Sequence, residues 1–149
     1  MAKYDCLKLE NQLCFPLYAC SKEITRKYKP LLDELDLTYT QYIAMMFLWE
    51  HKEANVKTLG DALFLDSGTL SPLLKTLEGK GYIERIRDKN DERNLVIKPT
   101  KKGENLRERA VNVPQSVAKC VNLSASDAQM LYNILYKILR GEKNNGKNN

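Results

Sequence analysis

Apolar residues recur every three or four positions through Leu13, Leu17, Cys20, Ile24, Tyr28, Leu31 and Leu35, the spacing of one face of a helix. Pro16 falls inside this run and deletes the hydrogen bond to residue 12, so the helix either begins near Leu13 or is kinked there. Lys29-Pro30 predicts a second interruption, because the residue before a proline avoids the helical region. Thr38 is a fitting N-cap for a helix over 39–50, whose nearly unbroken apolar stretch from Tyr42 to Trp49 predicts the most buried helix and the floor of the domain. A shorter helix over 56–65 follows, with Leu59, Ala62 and Leu63 inward. Asp66-Ser67-Gly68-Thr69 then caps another, whose Leu70, Leu73, Leu74 and Leu77 share a face and which stops at Gly79 and Gly81. Two short helices joined by a tight polar turn signal a helix-turn-helix.

At residues 82–87 and again at 94–98 the pattern changes to period two, with turn residues at 88–91 between, which predicts a β-hairpin. A hairpin placed directly after a helix-turn-helix is a wing. Thr100 caps a helix through Val113 that Pro114 interrupts, and Ser124 with Asp127 opens a last helix over 125–140, closed by Gly141 and followed by a frayed Asn- and Lys-rich tail. The predicted order is α, α, α, α, β, β, α, α. The fold class is mainly α with a small β-hairpin: one domain over 1–149, a winged helix-turn-helix over about 38–102, and dimerisation helices over about 7–35 and 103–141.

Composition narrows the partners. The 149 residues are 43% hydrophobic and 29% charged, enough for one real core and too few for two. The formal net charge is +5. Four of those charges lie between Arg85 and Lys102, where seven basic residues face three acidic ones. A charge run is usually a solvated face. Here the basic hairpin follows a capped helix that carries Ser67, Thr69, Ser71 and Lys75 opposite its leucine stripe, which points to double-stranded DNA. Small hydroxyl residues let such a helix approach base edges, Lys75 suits a phosphate, and Arg85, Arg87 and Lys89 extend the basic surface along the wing. At the tip, Arg93 can enter a minor groove with its fork steadied by Asp91, or the two form an ordinary surface pair. There is no apolar run near the roughly 18 residues a membrane span needs and the first eleven residues are polar, so a soluble cytoplasmic protein is expected.

One histidine, His51, excludes His-rich metal sites and most His-dependent triads, and the cysteines at 6, 14, 20 and 120 match no zinc spacing, so no metal and no cofactor is expected. Cys14 lies near a helix start and one turn before Tyr18, whose phenol can donate to it, a setting in which a thiolate is favoured and can react with a peroxide to a sulfenic acid. The bland alternative is a small packing residue. Tyr28 faces nearly the same way but lies about 21 Å along a straight helix, so only the Cys14 of a second chain crossing antiparallel near Ser21 could meet it.

The segments Leu9-Glu10-Asn11-Gln12-Leu13-Cys14-Phe15, Tyr28-Lys29-Pro30-Leu31-Leu32, Leu37-Thr38-Tyr39, Leu48-Trp49-Glu50, Leu65-Asp66-Ser67-Gly68-Thr69-Leu70 and Asp91-Glu92-Arg93 resemble the OhrR branch of the MarR regulators over roughly residues 7–102. Pro16 and Thr40 depart from the branch's pattern. The resemblance implies a homodimeric repressor that leaves its operator when organic hydroperoxides oxidise Cys14, with Tyr28 and Tyr39 of the other chain contacting the thiol. The branch includes one-cysteine and two-cysteine types, so Cys120 is either a resolving thiol or a packing residue. Two other readings stand beside it: a MarR-type repressor sensing a phenolic small molecule, and a small thiol peroxidase using Cys14, which would leave the basic wing unexplained.

Overall fold

The computed structural model describes residues 2–91 and 95–145. Two 3₁₀ turns, Asp5–Leu7 and Leu9–Asn11, lead into α1 (Cys14–Asp33). Because α1 starts at Cys14, Pro16 is the third helical residue, where a backbone N–H has no partner inside the helix, so the first turn accepts it without a kink. The interruption expected at Lys29-Pro30 does not occur. The helix runs through Pro30 to Asp33, where Leu32 in its last turn and Leu35 just after it are anchored in the core.

The next helices are α2 (Tyr39–His51), α3 (Val56–Leu63) and α4 (Ser67–Gly79). Thr38 caps α2 in a reciprocal box: its hydroxyl accepts from the Gln41 N–H, and the Gln41 side chain accepts from the Thr38 N–H. Asn55 and Asp66 cap α3 and α4 with a single bond each, their side-chain oxygens accepting from the N–H groups of Thr58 and Thr69. At its other end α4 closes with Gly81 at φ +79°, which lets the N–H groups of Gly81 and Tyr82 reach the carbonyls of Glu78 and Leu77. Helix α3 is two residues shorter than expected, since Phe64 turns left-handed at φ 56°, and Ala62 is exposed rather than inward.

The hairpin is present as β2 (Ile83–Arg87) and β3 (Leu95–Pro99), in antiparallel register from Ile83 opposite Pro99 to Arg87 opposite Leu95. A third strand, β1 (Ala54–Asn55), pairs with the other edge of β3 and makes a three-stranded sheet in the order β1-β3-β2. Two residues are too few to show a period, which is why alternation misses β1. Beyond the sheet come α5 (Lys101–Ala110) and α6 (Val113–Ala118), the break falling at Val111 and Asn112 so that Pro114 lies in the first turn of α6, where proline is tolerated.

Helix α2 is the hub of residues 1–117, meeting α1, α3, α4, α5 and β3. Ala44, Met45 and Leu48 are fully enclosed, together with Leu59, Leu70, Leu74, Leu77, Ile83 and Ile97. The Trp49 indole N–H donates to the Gly103 carbonyl at 2.9 Å, and Gly103 is required there: a Cβ would fall 2.1 Å from the Tyr82 carbonyl oxygen. Residues 118–149 form a separate compact unit containing α7 (Ala125–Asn145), capped by Ser124 through the Asp127 N–H. This helix passes through Gly141 instead of ending there, and takes in the first residues of the expected tail. Met130, Leu131, Tyr132, Ile134 and Ile138 lie exposed along it.

Candidate sensor and nucleic-acid interface

Cys14 is the first residue of α1 and is exposed. Its flanking apolar residues are exposed too, with Leu13 at 82% and Phe15, Leu17 and Tyr18 all open. Tyr18 lies one turn on from Cys14, and the Lys22 ammonium sits 5.4 Å from its ring centre.

Tyr28, toward the other end of α1, meets Tyr39 at the start of α2, with ring centres 5.0 Å apart. Tyr42 joins them at 5.9 Å from Tyr28 and 6.4 Å from Tyr39. Burial raises the pKa of all three phenols; that of Tyr42 is pushed up to about 12, with its two neighbours adding to the effect. Each hydroxyl therefore stays protonated at neutral pH and is a donor. The fold thus brings Tyr28 and Tyr39 together within one chain, at the opposite end of α1 from that chain's own Cys14, about 21 Å away by helical rise. Tyr42 was read only as core; the signal that could have singled it out is its spacing of three from Tyr39, which puts both rings on one side of α2. Cys120, beyond α6, is exposed, and Cys6 lies in the first 3₁₀ turn rather than in α1.

On the second surface, Ser67, Thr69, Ser71 and Lys75 are all exposed along α4, opposite the buried Leu70, Leu73, Leu74 and Leu77. Asp66 stands at the head of this helix with its carboxyl held below the usual range by the Thr69 N–H and hydroxyl. On β2, Arg85 is engaged inside the chain: its Nε and Nη2 donate to the two Glu78 oxygens at 2.8 and 3.0 Å, which ties the wing to α4. Arg87, Lys89 and Asp91 follow on the exposed part of the wing, Arg87 being the last residue of β2. Arg93 lies outside the described residues.

The two surfaces are mechanically joined at the turn after α1, another feature the sequence did not disclose. Its carbonyls receive three long-range donors: Arg109 on Glu34, the Tyr82 hydroxyl on Leu35 at 3.2 Å, and the Lys80 ammonium on Asp36 at 2.6 Å. These donors come from the end of α4, the root of the wing and α5.

Among the described residues no group of His, Cys, Asp and Glu is arranged to hold a metal, and no helix is long and apolar enough to cross a membrane.

A capped helix-turn-helix followed by a hairpin wing, with long helices before and after it, defines a winged-helix transcriptional regulator. The chain belongs to the SarA/Rot family of transcriptional regulators, whose pattern matches residues 26–109. It is 49% identical over 137 residues to the organic hydroperoxide resistance transcriptional regulator of Bacillus subtilis, covering 92% of this chain and 93% of that one. It is also 48% identical over 120 residues to the regulator SarZ of Staphylococcus saprophyticus, covering 80% and 82%. Among solved structures, AbfR of Staphylococcus epidermidis superposes with a TM-score of 0.73 at 30% identity, covering 95% of this chain and 98% of that one. AbfR has been captured on DNA in reduced and in overoxidised form, with TM-scores of 0.74 and 0.75 to this chain. The MarR-type resemblance is thereby confirmed, and since family and relatives are regulators, the thiol peroxidase reading is set aside.

Proposed function

We propose that this chain is a homodimeric repressor that binds double-stranded operator DNA in the cytoplasm and releases it when an organic hydroperoxide oxidises Cys14. The whole chain acts as one MarR-type domain, with the winged helix-turn-helix over about 38–102 and dimerisation helices over about 7–35 and 103–141. The observation that carries this reading is the separation of exposed Cys14 from the Tyr28–Tyr39 pair at opposite ends of one helix. A second copy crossing antiparallel joins thiol to phenols at both ends, and the exposed apolar rows on α1 and α7 give such a dimer its contact area.

On the DNA side, α4 offers Ser67, Thr69 and Ser71 to base edges and Lys75 to a phosphate, while Arg87, Lys89 and Arg93, which follows Asp91 by two positions in the sequence, are the residues to track the backbone or enter the minor groove. Arg85 serves this surface by bracing the wing on Glu78. In the chemical step the Cys14 thiolate attacks the terminal peroxide oxygen. An S–O bond forms and the O–O bond breaks; sulfur is oxidised to the sulfenic acid and the peroxide is reduced to an alcohol, whose alkoxide takes a proton from water or a phenol. Tyr18 of the same chain and Tyr28 and Tyr39 of the other surround the sulfur. The sulfenic acid then condenses with the Cys120 thiol of the other chain, releasing water, or is capped by a small thiol; a disulfide-linked dimer that disappears in Cys120→Ser selects the first route.

The test is a mobility shift on operator DNA before and after equimolar cumene hydroperoxide. The parent protein binds and then releases, Cys14→Ser binds and stays bound, and Arg93→Ala binds weakly throughout. Release of Cys14→Ser by the peroxide would falsify the sensor assignment and favour a small-molecule effector instead.

A further inference from the structure

Tyr42 is only 3% exposed, yet its hydroxyl has no hydrogen-bond partner among the described residues, and the same is true of Tyr28 and Tyr39. Every fully enclosed side-chain polar atom in the described residues does have one, so the Tyr42 hydroxyl must hold its small remaining exposure at the surface of the cluster. Elsewhere this chain puts its buried aromatic donors to use: Tyr82 donates to Leu35 and Trp49 to Gly103. Three idle phenols within 6.4 Å of one another, one of them embedded, form a donor cluster lacking its acceptor.

Resting on the sensor reading above, we infer that Tyr42 is a further donor of the sensor site, beside Tyr18, Tyr28 and Tyr39, and binds the oxygen that departs from the hydroperoxide as Cys14 is oxidised. Three facts favour this role over one at the sulfur. Tyr42 is the most deeply set of the three, so its hydroxyl is held by packing on α2 rather than by a flexible surface position. The departing alkoxide is the species in the step that carries new negative charge, and a donor fixed in advance by packing stabilises such charge more than a ground state that lacks it. A phenol that remains protonated can donate to that oxygen across the neutral range, and the alkoxide, a much stronger base than a phenolate, takes its proton there or from water. Tyr28 and Tyr39, nearer the surface, are left for the sulfur.

The experiment compares two reactions of the same thiol in the full-length dimer: oxidation by cumene hydroperoxide, which expels an alkoxide, and alkylation by iodoacetamide, which expels iodide. In Tyr42→Phe the ring and its packing remain. Peroxide oxidation should slow by about tenfold, the worth of one hydrogen bond, while alkylation stays within about twofold of the parent. Equal slowing of both reactions would mean that Tyr42 only shapes access to the thiol, and no slowing of either would mean that it only fills space; both overturn the inference. A Tyr28→Phe control keeps the two levels apart, because unaltered oxidation in that variant counts against the sensor reading itself, whereas slow oxidation there with normal oxidation in Tyr42→Phe removes Tyr42 alone.

Discussion

The middle of the chain and its ends solve the burial problem in opposite ways. From Leu32 to Val117 most apolar positions close on one another around α2, the starts of α2, α3, α4 and α5 are capped by the side chains of Thr38, Asn55, Asp66 and Thr100, and the Trp49 and Tyr82 donors are satisfied within the chain. The first half of α1 and most of α7 are as apolar by pattern, yet Leu13, Phe15, Leu17, Met130, Tyr132, Ile134 and Ile138 lie open. The difference teaches that helical amphipathicity marks a face that will be covered without saying by what: in the centre the same chain covers it, at the ends a second copy is the proposed cover.

The sharpest way to break this contrast is to charge the open ends. Ile134→Glu with Ile138→Glu should leave the central fold intact by circular dichroism while converting the protein to a monomer in sedimentation and abolishing operator binding. A charged double variant that remains a dimer would place the pairing surface elsewhere.

The centre should fail differently. Gly103→Ala inserts a methyl group against the Tyr82 carbonyl and should cost about 3 kcal/mol, lowering the melting temperature by roughly 10 °C. Tyr82→Phe, which removes only the hydroxyl bond to the turn after α1, should cost about 1 kcal/mol. Because that bond ties the wing root to the helix bearing Tyr28, the variant should also need more oxidation to release DNA than the parent. Identical release curves would limit the bond to stability.

The smallest effects are those of pH on the centre. The Asp66 and Glu78 carboxyls are held below their usual range by Thr69 and Arg85, so the stability they contribute is present above the ordinary carboxylate range and is lost as pH falls through and below it. The tyrosine cluster acts in the other direction. Tyr42 titrates at about 12 when folded and at 10.0 when unexposed to such an environment, so its contribution is intact below pH 10.0 and is lost as pH rises toward 12. Absorbance titration should show a late phenol that moves to the normal range in Tyr28→Phe with Tyr39→Phe only to the extent that charge, rather than burial, raises it.

The leucine spacing of α4, the Thr38, Asp66, Thr100 and Ser124 caps, the wing's alternation and the motif around Cys14 are local patterns, and each was legible because a helix turn, a cap or a strand pair is decided by residues within a few positions of one another. What the sequence by itself determined is therefore the set of elements, their order, and the residue types available to a sensor and a DNA surface. Tertiary structure decided the rest. Pro30 stayed inside a helix whose last turn anchors Leu32 in the core; the partner of β1 lay more than forty residues away in β3; Arg85 found Glu78 instead of open solvent; and Tyr42 became the third member of a phenol cluster because α1 folds back on α2. Such pairings are fixed by which surfaces can close without leaving a void or an unmet polar group, a condition on the whole packed chain that no short stretch of it contains.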